Sequence, residues 1–210
     1  MRWKPRVLGS AQSRALSALG PALSRRGFYL GGGTAVALHL GHRRSHDLDW
    51  FTGRRYDDMT ALLADLRDDG IRLRVSDLDK GTVHGEMHRT RVSLLEYRYP
   101  MLREPLRPPS LRCRVAALED LASMKLSAVV QRGSKKDFID LYAIAVEGMP
   151  LDRMLAAYTS KYGIADIAHV LYALTYFDDA EHDRMPVMLW DVSWPRIKRA
   201  IAGWASEIAR

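Results

Sequence analysis

Residues 31–49 read GGGTAVALHLGHRRSHDLD. The glycine-rich turn followed by the apolar stretch 35–40 predicts a short helix, with Thr34 as its N-cap residue. Asp47 and Asp49 then alternate with Leu48, as in a half-buried strand, so both carboxylates are expected on one face and Leu48 in the core. This stretch therefore predicts a turn, a helix and a strand that presents two neighbouring carboxylates.

The chemistry of this stretch depends on two features together, the glycine-rich turn at 31–33 and the carboxylate pair Asp47 and Asp49. Backbone N–H groups of a glycine-rich turn before a helix can approach a phosphate closely. The Rossmann spacing fails because Val36 stands where a glycine is needed, and no Gly-Lys-Ser/Thr follows as in a Walker loop. Two adjacent carboxylates repel, and beside a phosphate loop they usually hold a divalent cation, most often Mg²⁺. Alone, the turn is compatible with a structural loop and the pair with an exposed strand edge. Together they favour a phosphate and metal site.

Outside this stretch, hydrophobic periodicity predicts mixed structure in the first half of the chain and helices in the second. Residues 11–23 indicate a helix broken near Gly20 and Pro21. The strands are predicted at 28–30, 47–51, 71–75, 81–87 and 92–97. The further helices are predicted at 57–66, 116–130, 136–146, 151–159 and 164–174, with a final helix that starts after Asp191 or Ser193. Residues 100–109, which are rich in proline, connect the two halves.

Composition limits the classes of protein. The chain has 210 residues, of which 47% are hydrophobic and 27% charged, as in an ordinary globular protein with a sizeable core. No apolar stretch is long enough to cross a membrane, and residues 1–14 lack the apolar run of a signal peptide, so we expect a cytoplasmic protein without a membrane partner. The lone Cys113 excludes an internal disulfide. The net charge is +7, with the basic excess mainly in residues 1–50, which favours phosphate-bearing partners but is also compatible with a solvated basic face.

A second group of motifs lies downstream. Residues 118–121 read LEDL and lead to Lys125, and Arg132-Gly133 precede KDFIDL at 136–141. With Gly-Gly-Thr at 32–34 and Asp-Leu-Asp at 47–49, this order resembles the AbiEii/AbiGii toxin family of minimal nucleotidyltransferases, in the DNA polymerase β superfamily. The resemblance covers residues 27–200. It implies an α+β fold, in which a polymerase-β-like core with a mixed sheet flanked by helices (residues 1–114) precedes a helical region (residues 115–210) that contributes to the active site.

The resemblance also implies roles for individual residues. Asp47 and Asp49 are expected to be catalytic and to bind one or two Mg²⁺ ions, Lys125 to contact the triphosphate, and Asp137 to position the triphosphate or the acceptor. The residues implied in nucleotide binding are Gly32, Gly33, Thr34, Arg43, Ser45 and Arg132. Lys125 and Arg132 are seven residues apart, so one helix face can present both cations. Asp140 is a further candidate for the site, although Lys136 and Asp140, four apart, are also compatible with an exposed ion pair.

The implied activity is Mg²⁺-dependent transfer of a nucleoside monophosphate from a nucleoside triphosphate to an acceptor hydroxyl. The implied acceptor is RNA, with the tRNA 3′ end as the leading candidate, and the implied role is that of a bacterial toxin in a toxin–antitoxin or abortive-infection system with a cognate antitoxin. Two alternatives remain: transfer to a protein or a small molecule, and a nucleotide- or RNA-binding module without turnover.

One position departs from the family pattern. Relatives often carry a third carboxylate on a later strand, and Ser93 occupies the matching position. Glu96 has the opposite strand parity, so either a bulge turns Glu96 into the site or the site works with two carboxylates.

Other candidate motifs indicate less. His84 and His88 do not have the His-Glu-x-x-His spacing, so zinc is not expected. The aromatic residues of the C-terminal region recur near helical spacing and are predicted to pack in the core rather than to stack on bases. They are Tyr158, Tyr162, Tyr172, Tyr176 and Phe177.

Overall fold

Five strands form one mixed sheet in the computed structural model, which describes residues 3–210. They are β1 (Tyr29–Leu30), β2 (Leu48–Thr52), β3 (Arg74–Asp79), β4 (Thr82–Met87) and β5 (Thr90–Glu96). Their spatial order is β1-β2-β5-β4-β3, with β2 and β5 parallel and the other neighbours antiparallel. The predicted mixed sheet is confirmed. Met1 and Arg2, the first two residues of the predicted N-terminal region 1–114, lie outside the described part of the chain.

Helices flank the sheet and dominate the C-terminal half. They are α1 (Ser10–Arg25), α2 (Gly32–Leu40), α3 (Met59–Asp68), α4 (Leu118–Arg132), α5 (Lys135–Val146), α6 (Leu151–Tyr162), α7 (Ala168–Thr175), α8 (Asp178–Glu181) and α9 (Trp194–Ile208). The short α8 was not predicted, whereas α9 starts with a proline in its first turn as expected. Between residues 3 and 210, none of these helices combines the length and apolar character that crossing a bilayer requires.

The core joins the two halves of the chain. Leu48 and Trp50 of β2 and Leu94 of β5 are fully buried on one face of the sheet, which leaves the alternate residues on the other face. Helix α2 packs against both α4 and α5, so the helical region contacts the element that follows the glycine turn. Residues on both sides of the predicted boundary between 114 and 115 therefore share one hydrophobic core. The division into two domains at this boundary stays a prediction.

Helix α1 is not broken at Gly20 and Pro21, so that prediction was wrong. The helix continues to Arg25, with its apolar face buried on both sides of the proline. Proline removes one backbone donor, but tertiary packing of this face outweighs that loss. Gly20 also lets the segment between β5 and α4 (residues 97–117, hereafter the connector) approach closely, because a β-carbon there would lie 2.9 Å from Cβ of Cys113.

Thr34 does not cap α2, so this second prediction was also wrong. The helix starts two residues earlier at Gly32, with Gly31 as the N-cap residue in an extended conformation. Thr34 is buried inside the first turn, where its hydroxyl donates to the backbone oxygen of Asp47 and accepts from Gln12 Nε2. The side chain therefore ties α2 to the residue that precedes β2.

The LEDL block stabilises the junction between the connector and the helices. Asp120 is fully buried and accepts hydrogen bonds from the backbone N–H groups of Leu102 and Arg103, at 3.0 Å each. The Nζ of Lys161 in α6 lies 2.7 Å from Asp120 Oδ1 and also donates to the backbone oxygen of Pro100. This part of the family motif is therefore structural.

The aromatic residues of the helical region divide into two groups. Tyr158 is buried in the core, as predicted. Tyr172 and Tyr176 contradict the prediction, since they are 71% and 43% exposed and stack on one another with ring centroids 6.3 Å apart. Their helical spacing places both on the outer side of α7 and its C-cap.

His39 links α2 to the start of α4 and is buried in its neutral form. Its Nε2 lies 2.8 Å from the backbone oxygen of Ala116. Burial lowers the pKa of His39 from 6.5 to about 4. Between pH 6.5 and pH 4 the His39 side chain is protonated in the unfolded chain but neutral in the folded protein. The free energy of unfolding therefore decreases as the pH falls through this range.

We expect His39→Gln, which keeps a donor for Ala116, to flatten the pH dependence of the free energy of unfolding. Between about pH 7 and about pH 5, His39 should contribute a fall of about 2 kcal/mol, at 1.36 kcal/mol per pKa unit. Urea unfolding at several pH values measures this. Exposed His88→Gln is the matched control and should keep the original slope. Equal slopes in wild type and His39→Gln would contradict the assignment.

Candidate active site

A cavity of about 1390 Å³ opens between the first turn of α2, the free face of β2 and β5, and α4. It is larger than the roughly 300–1,000 Å³ of ordinary small-molecule sites. Most of the residues predicted from the sequence line it: Gly32, Gly33, Arg43, Ser45, Asp47, Asp49, Lys125 and Arg132. Thr34 and Asp137 are buried outside this lining, and the contribution of the Thr34 backbone N–H to phosphate binding stays a prediction.

The glycine turn brings the backbone of α2 close to two charged side chains. Gly32 has a φ of +61°, and a β-carbon there would lie 2.5 Å from Asp49 Oδ2. A β-carbon at Gly33 would lie 2.5 Å from Nη2 of Arg43. Gly32 therefore requires glycine because of its left-handed backbone, whereas a side chain at Gly33 would displace the Arg43 guanidinium. Gly32 and Gly33 line the cavity, so the positive end of the α2 dipole lies beside it.

Asp47 and Asp49 face the same cavity, as their spacing predicted. Leu48 between them is fully buried. Burial raises the pKa of Asp49, the negative charge of Asp47 raises it further, and a hydrogen bond with Ser93 opposes both effects. Asp47 Oδ1 accepts a hydrogen bond from Nε of Arg91 at 2.9 Å. Two carboxylates held in this way concentrate negative charge at one place in the site.

The third-carboxylate position is occupied by a hydroxyl. Ser93 lies directly opposite Asp49 in the parallel β2–β5 pair, whose register is continuous. Glu96 lies on the other face, where its side chain accepts from the backbone N–H of Tyr56 and from Arg98. No bulge turns Glu96 towards the cavity, so that alternative was wrong, and a site that works with two carboxylates stays a prediction. Within residues 3–210 no cluster of three or more His, Cys, Asp or Glu is arranged to hold a metal ion.

Asp140 is the centre of a buried ion network that the sequence did not reveal. Its two carboxylate oxygens accept from Nε and Nη2 of Arg43 at 2.6 and 2.8 Å. His42 Nε2 lies 2.8 Å from Oδ1, and Nζ of Lys125 lies 2.6 Å from Oδ2. Burial alone would raise the pKa of Asp140, but Arg43 and Lys125 outweigh it and hold the pKa well below its ordinary value. The alternative of an exposed pair with Lys136 was wrong, because Asp140 is turned towards the loop before β2.

Asp137 organises the two cations of α4. Its carboxylate accepts from Nζ of Lys125 at 2.7 Å, from two nitrogens of Arg132 at 2.8 and 3.1 Å, and from Oγ of Ser134 at 2.7 Å. Burial opposes ionisation, but Lys125 and Arg132 lower the pKa of Asp137 to about 2. Lys125 thus uses two of its three N–H donors on Asp137 and Asp140, and no residue between 3 and 210 accepts a side-chain hydrogen bond from the third.

Sequence reasoning missed several residues at this cavity. Its lining also includes a set of cationic or titratable side chains, namely Arg44, His46, His84, Arg91, Lys136 and Arg184. Asp140 was already a candidate from the sequence, and it lies three residues after Asp137 and therefore on the same face of α5. No local signal identifies Arg184, which reaches the site from the irregular segment after α8.

Solved structures of other proteins share this fold. JHP933 from Helicobacter pylori has 15% sequence identity and a TM-score of 0.55, over 98% of this chain and 92% of that one. MenT4, a nucleotidyltransferase toxin from Mycobacterium tuberculosis H37Rv, has 15% identity and a TM-score of 0.61, over 94% of this chain and 82% of that one. At this identity the likeness shows the fold alone.

Sequence comparison identifies the family. The chain belongs to the AbiEii family, described as nucleotidyl transferase AbiEii toxin of type IV toxin–antitoxin systems, whose model matches residues 14–108 and 94–203. An uncharacterized protein of Aquifex aeolicus (strain VF5) is 35% identical over 157 residues, which is 74% of this chain and 76% of that protein. The resemblance read from the motifs is thus confirmed at the level of the family.

Proposed function

We propose that this protein transfers a nucleoside monophosphate from a nucleoside triphosphate to a hydroxyl of RNA, with the tRNA 3′ end as the leading acceptor. The observation that carries the proposal is that Asp47 and Asp49 face one cavity together with the first turn of α2 and the cations of α4. Membership of a toxin family supports action as the toxin of a toxin–antitoxin pair with a cognate antitoxin. We place the reaction in the cytoplasm, where nucleoside triphosphates and tRNA occur together.

The acidic pair fits Mg²⁺. Asp47 and Asp49 supply hard oxygen donors, and burial beside another negative charge raises the pKa of Asp49, an effect that a bound cation would offset. Mg²⁺ in proteins usually takes one or two carboxylates and completes its shell with water and substrate phosphates, which matches a site where Ser93 replaces the third carboxylate. When bound, the ion supplies charge neutralisation at the phosphate and activation of the attacking hydroxyl.

The triphosphate is proposed to lie against α2 and α4. Backbone N–H groups at Gly32 and Gly33 donate to phosphate oxygens at the positive end of the helix dipole. Arg132, which is 57% exposed in its side chain, extends from Asp137 into the cavity and contacts the leaving pyrophosphate. The remaining N–H of Lys125 donates to a further phosphate oxygen on the α4 side.

Asp137 and Asp140 are proposed to be positioning residues in this arrangement. They fix Lys125 and Arg132 before the nucleotide binds, so little reorganisation remains at the moment of reaction. The acceptor oxygen bonds to the α-phosphorus, the hydroxyl proton passes to water, the bond from that phosphorus to the bridging oxygen breaks, and pyrophosphate leaves. Ser93 cannot ionise at neutral pH, so no carboxylate at this position acts as a general base. The rate then depends on positioning of the reactants and on stabilisation of the negative charge on the phosphate oxygens.

The basic side chains at the mouth of the cavity support an RNA acceptor. Arg44, His46 and Arg184 are exposed and line the same opening as the acidic pair. A polynucleotide backbone is attracted to such an edge, whereas a small-molecule acceptor does not need it. We further propose that residues 1–114 carry the catalytic carboxylates and residues 115–210 the cations that hold the nucleotide.

The experiment is to incubate the protein with Mg²⁺, total tRNA and each α-labelled nucleoside triphosphate in turn. We expect label from at least one triphosphate to enter RNA, and unlabelled RNA when γ-labelled triphosphate is used instead. Asp47→Ala is the inactive control and should transfer no label while it keeps the melting temperature of the folded protein.

Other outcomes identify the alternatives. Labelled product without RNA would indicate a protein or small-molecule acceptor and overturn the RNA assignment. A folded protein that binds nucleotide but labels nothing would favour a module without turnover. Equal labelling by wild type and Asp47→Ala would contradict the proposed site.

A further inference from the structure

A second cavity, of about 450 Å³, is lined mainly by arginines. Its lining is Pro21, Ser24, Arg25, Gly27, Arg54, Arg107, Arg112 and Arg114. We call this cavity the arginine pocket. It contains no acidic lining residue, and three stretches of chain build it: the C-terminal turn of α1, the residues after β2 and the connector that precedes α4.

The arginine pocket is separate from the active site. Strands β1 and β2 are antiparallel, and at one end the backbone N–H of Gly31 donates to the oxygen of Asp49. At the other end Thr52 Oγ1 donates to the oxygen of Gly27, beside Arg54. The three extended steps from Asp49 to Thr52 span about 10 Å, and Arg54 follows two residues later. The two cavities therefore lie at opposite ends of the β1–β2 pair, and only an extended ligand can reach both.

The positive charge in the arginine pocket is poorly neutralised by the protein. Of its arginines, Arg25 pairs with Asp69 at 3.2 Å, whereas the other four form no ion pair with any residue in the range 3–210. Nε of Arg114 is buried without a hydrogen-bond partner in that same range. Guanidinium groups gathered without a counter-charge repel one another, and their planar donors match phosphate oxygens in bidentate pairs.

Local backbone geometry helps to hold these side chains together. Gly27 has a φ of +86°, and a β-carbon there would lie 2.8 Å from Nε of Arg54. The glycine thus allows the Arg54 side chain to lie directly over the turn between α1 and β1. Arg112 also has a positive φ, of +51°, a conformation that is uncommon for this residue type. The connector is therefore shaped so that its arginines lie beside α1.

We infer that the arginine pocket binds phosphate groups of the RNA backbone and holds the acceptor strand at a point remote from Asp47 and Asp49. This inference rests on the proposed function, because it takes RNA as the acceptor. A single anion could fill the pocket alone, but a polynucleotide also gains from the cations that line the opening of the active site. Recognition here is of phosphate rather than of base, so it holds many RNA sequences equally.

The test compares two triple variants that remove the same positive charge. The first is Arg54→Gln, Arg107→Gln and Arg112→Gln, all exposed residues of the pocket. The second is Arg153→Gln, Arg196→Gln and Arg199→Gln, which are exposed on α6 and α9. Binding of a fluorescent single-stranded RNA is followed by anisotropy over a series of salt concentrations, without nucleotide or Mg²⁺. Circular dichroism and melting confirm that both variants fold.

We expect the pocket variant to bind RNA at least about tenfold more weakly at low salt. The slope of log affinity against log salt should also fall by about two, from the loss of three phosphate contacts. The control variant should keep most of the affinity and slope of the wild type. Equal losses in both variants would mean a diffuse effect of net charge and would overturn the inference.

Two further results separate the possible sources of failure. If the pocket variant loses binding of inorganic tripolyphosphate but binds RNA normally, the pocket takes a free polyphosphate and the RNA assignment is overturned. If the wild type itself fails to bind RNA, the proposed acceptor is wrong and the inference fails with it. If the wild type binds and labels RNA and the pocket variant does so equally well, the inference alone fails.

Discussion

Asp49→Asn is expected to lower nucleotidyl transfer by at least about a thousandfold while the protein stays folded. Asparagine keeps the shape of the side chain and can still bond with Ser93, but it removes the negative charge that a divalent cation requires. Because burial and Asp47 raise the pKa of Asp49, its charged form is unfavourable in the folded protein. The neutral amide should therefore leave the melting temperature unchanged or raise it.

This combination of lost activity and retained stability is diagnostic of a functional carboxylate. Transfer of α-labelled nucleotide and thermal melting, measured on the same preparation, test it. Asp77→Asn on the exposed strand β3 is the matched control and should change neither quantity. Normal transfer by Asp49→Asn would remove Asp49 from the catalytic site, and a large fall in melting temperature would mean that the carboxylate is structural.

Asp140→Ala is expected to destabilise the protein by about 3–5 kcal/mol, because it leaves Arg43 and Lys125 buried without their shared partner. For a chain of this size such a loss corresponds to a fall in melting temperature of roughly 6–20 °C. Asp152→Ala, an exposed carboxylate on α6, should stay within about 0.5 kcal/mol of the wild type. Urea unfolding of both variants measures the difference.

A paired substitution distinguishes an uncompensated charge from simple loss of packing. Arg43→Met combined with Asp140→Leu should cost less than the sum of the two single changes, since neither charge is then left alone. Transfer activity should remain low in both variants that change Asp140, because Lys125 then loses one of the two carboxylates that position it. A melting temperature of Asp140→Ala equal to that of the wild type would show that the network adds nothing to stability.

The sequence by itself determined those features of the protein that depend only on residues a few positions apart along the chain. The glycines at 32 and 33, the alternation of Asp47, Leu48 and Asp49, and the opposite parity of Glu96 follow from backbone geometry over a few residues. The order of the motifs also identified the family, and with it the mixed sheet. These features need no knowledge of how distant segments meet.

Tertiary structure alone decided which polar groups are buried and which charges are paired. Arg43 and Asp140 are 97 residues apart, and the arginine pocket gathers side chains from α1, the β2 end and the connector. The continuity of α1 through Pro21 and the position of Thr34 inside α2 likewise depend on packing against distant residues. Burial changes the free energy of a charge or a hydrogen bond by several kcal/mol, far more than local propensity does, and burial is a property of the assembled fold.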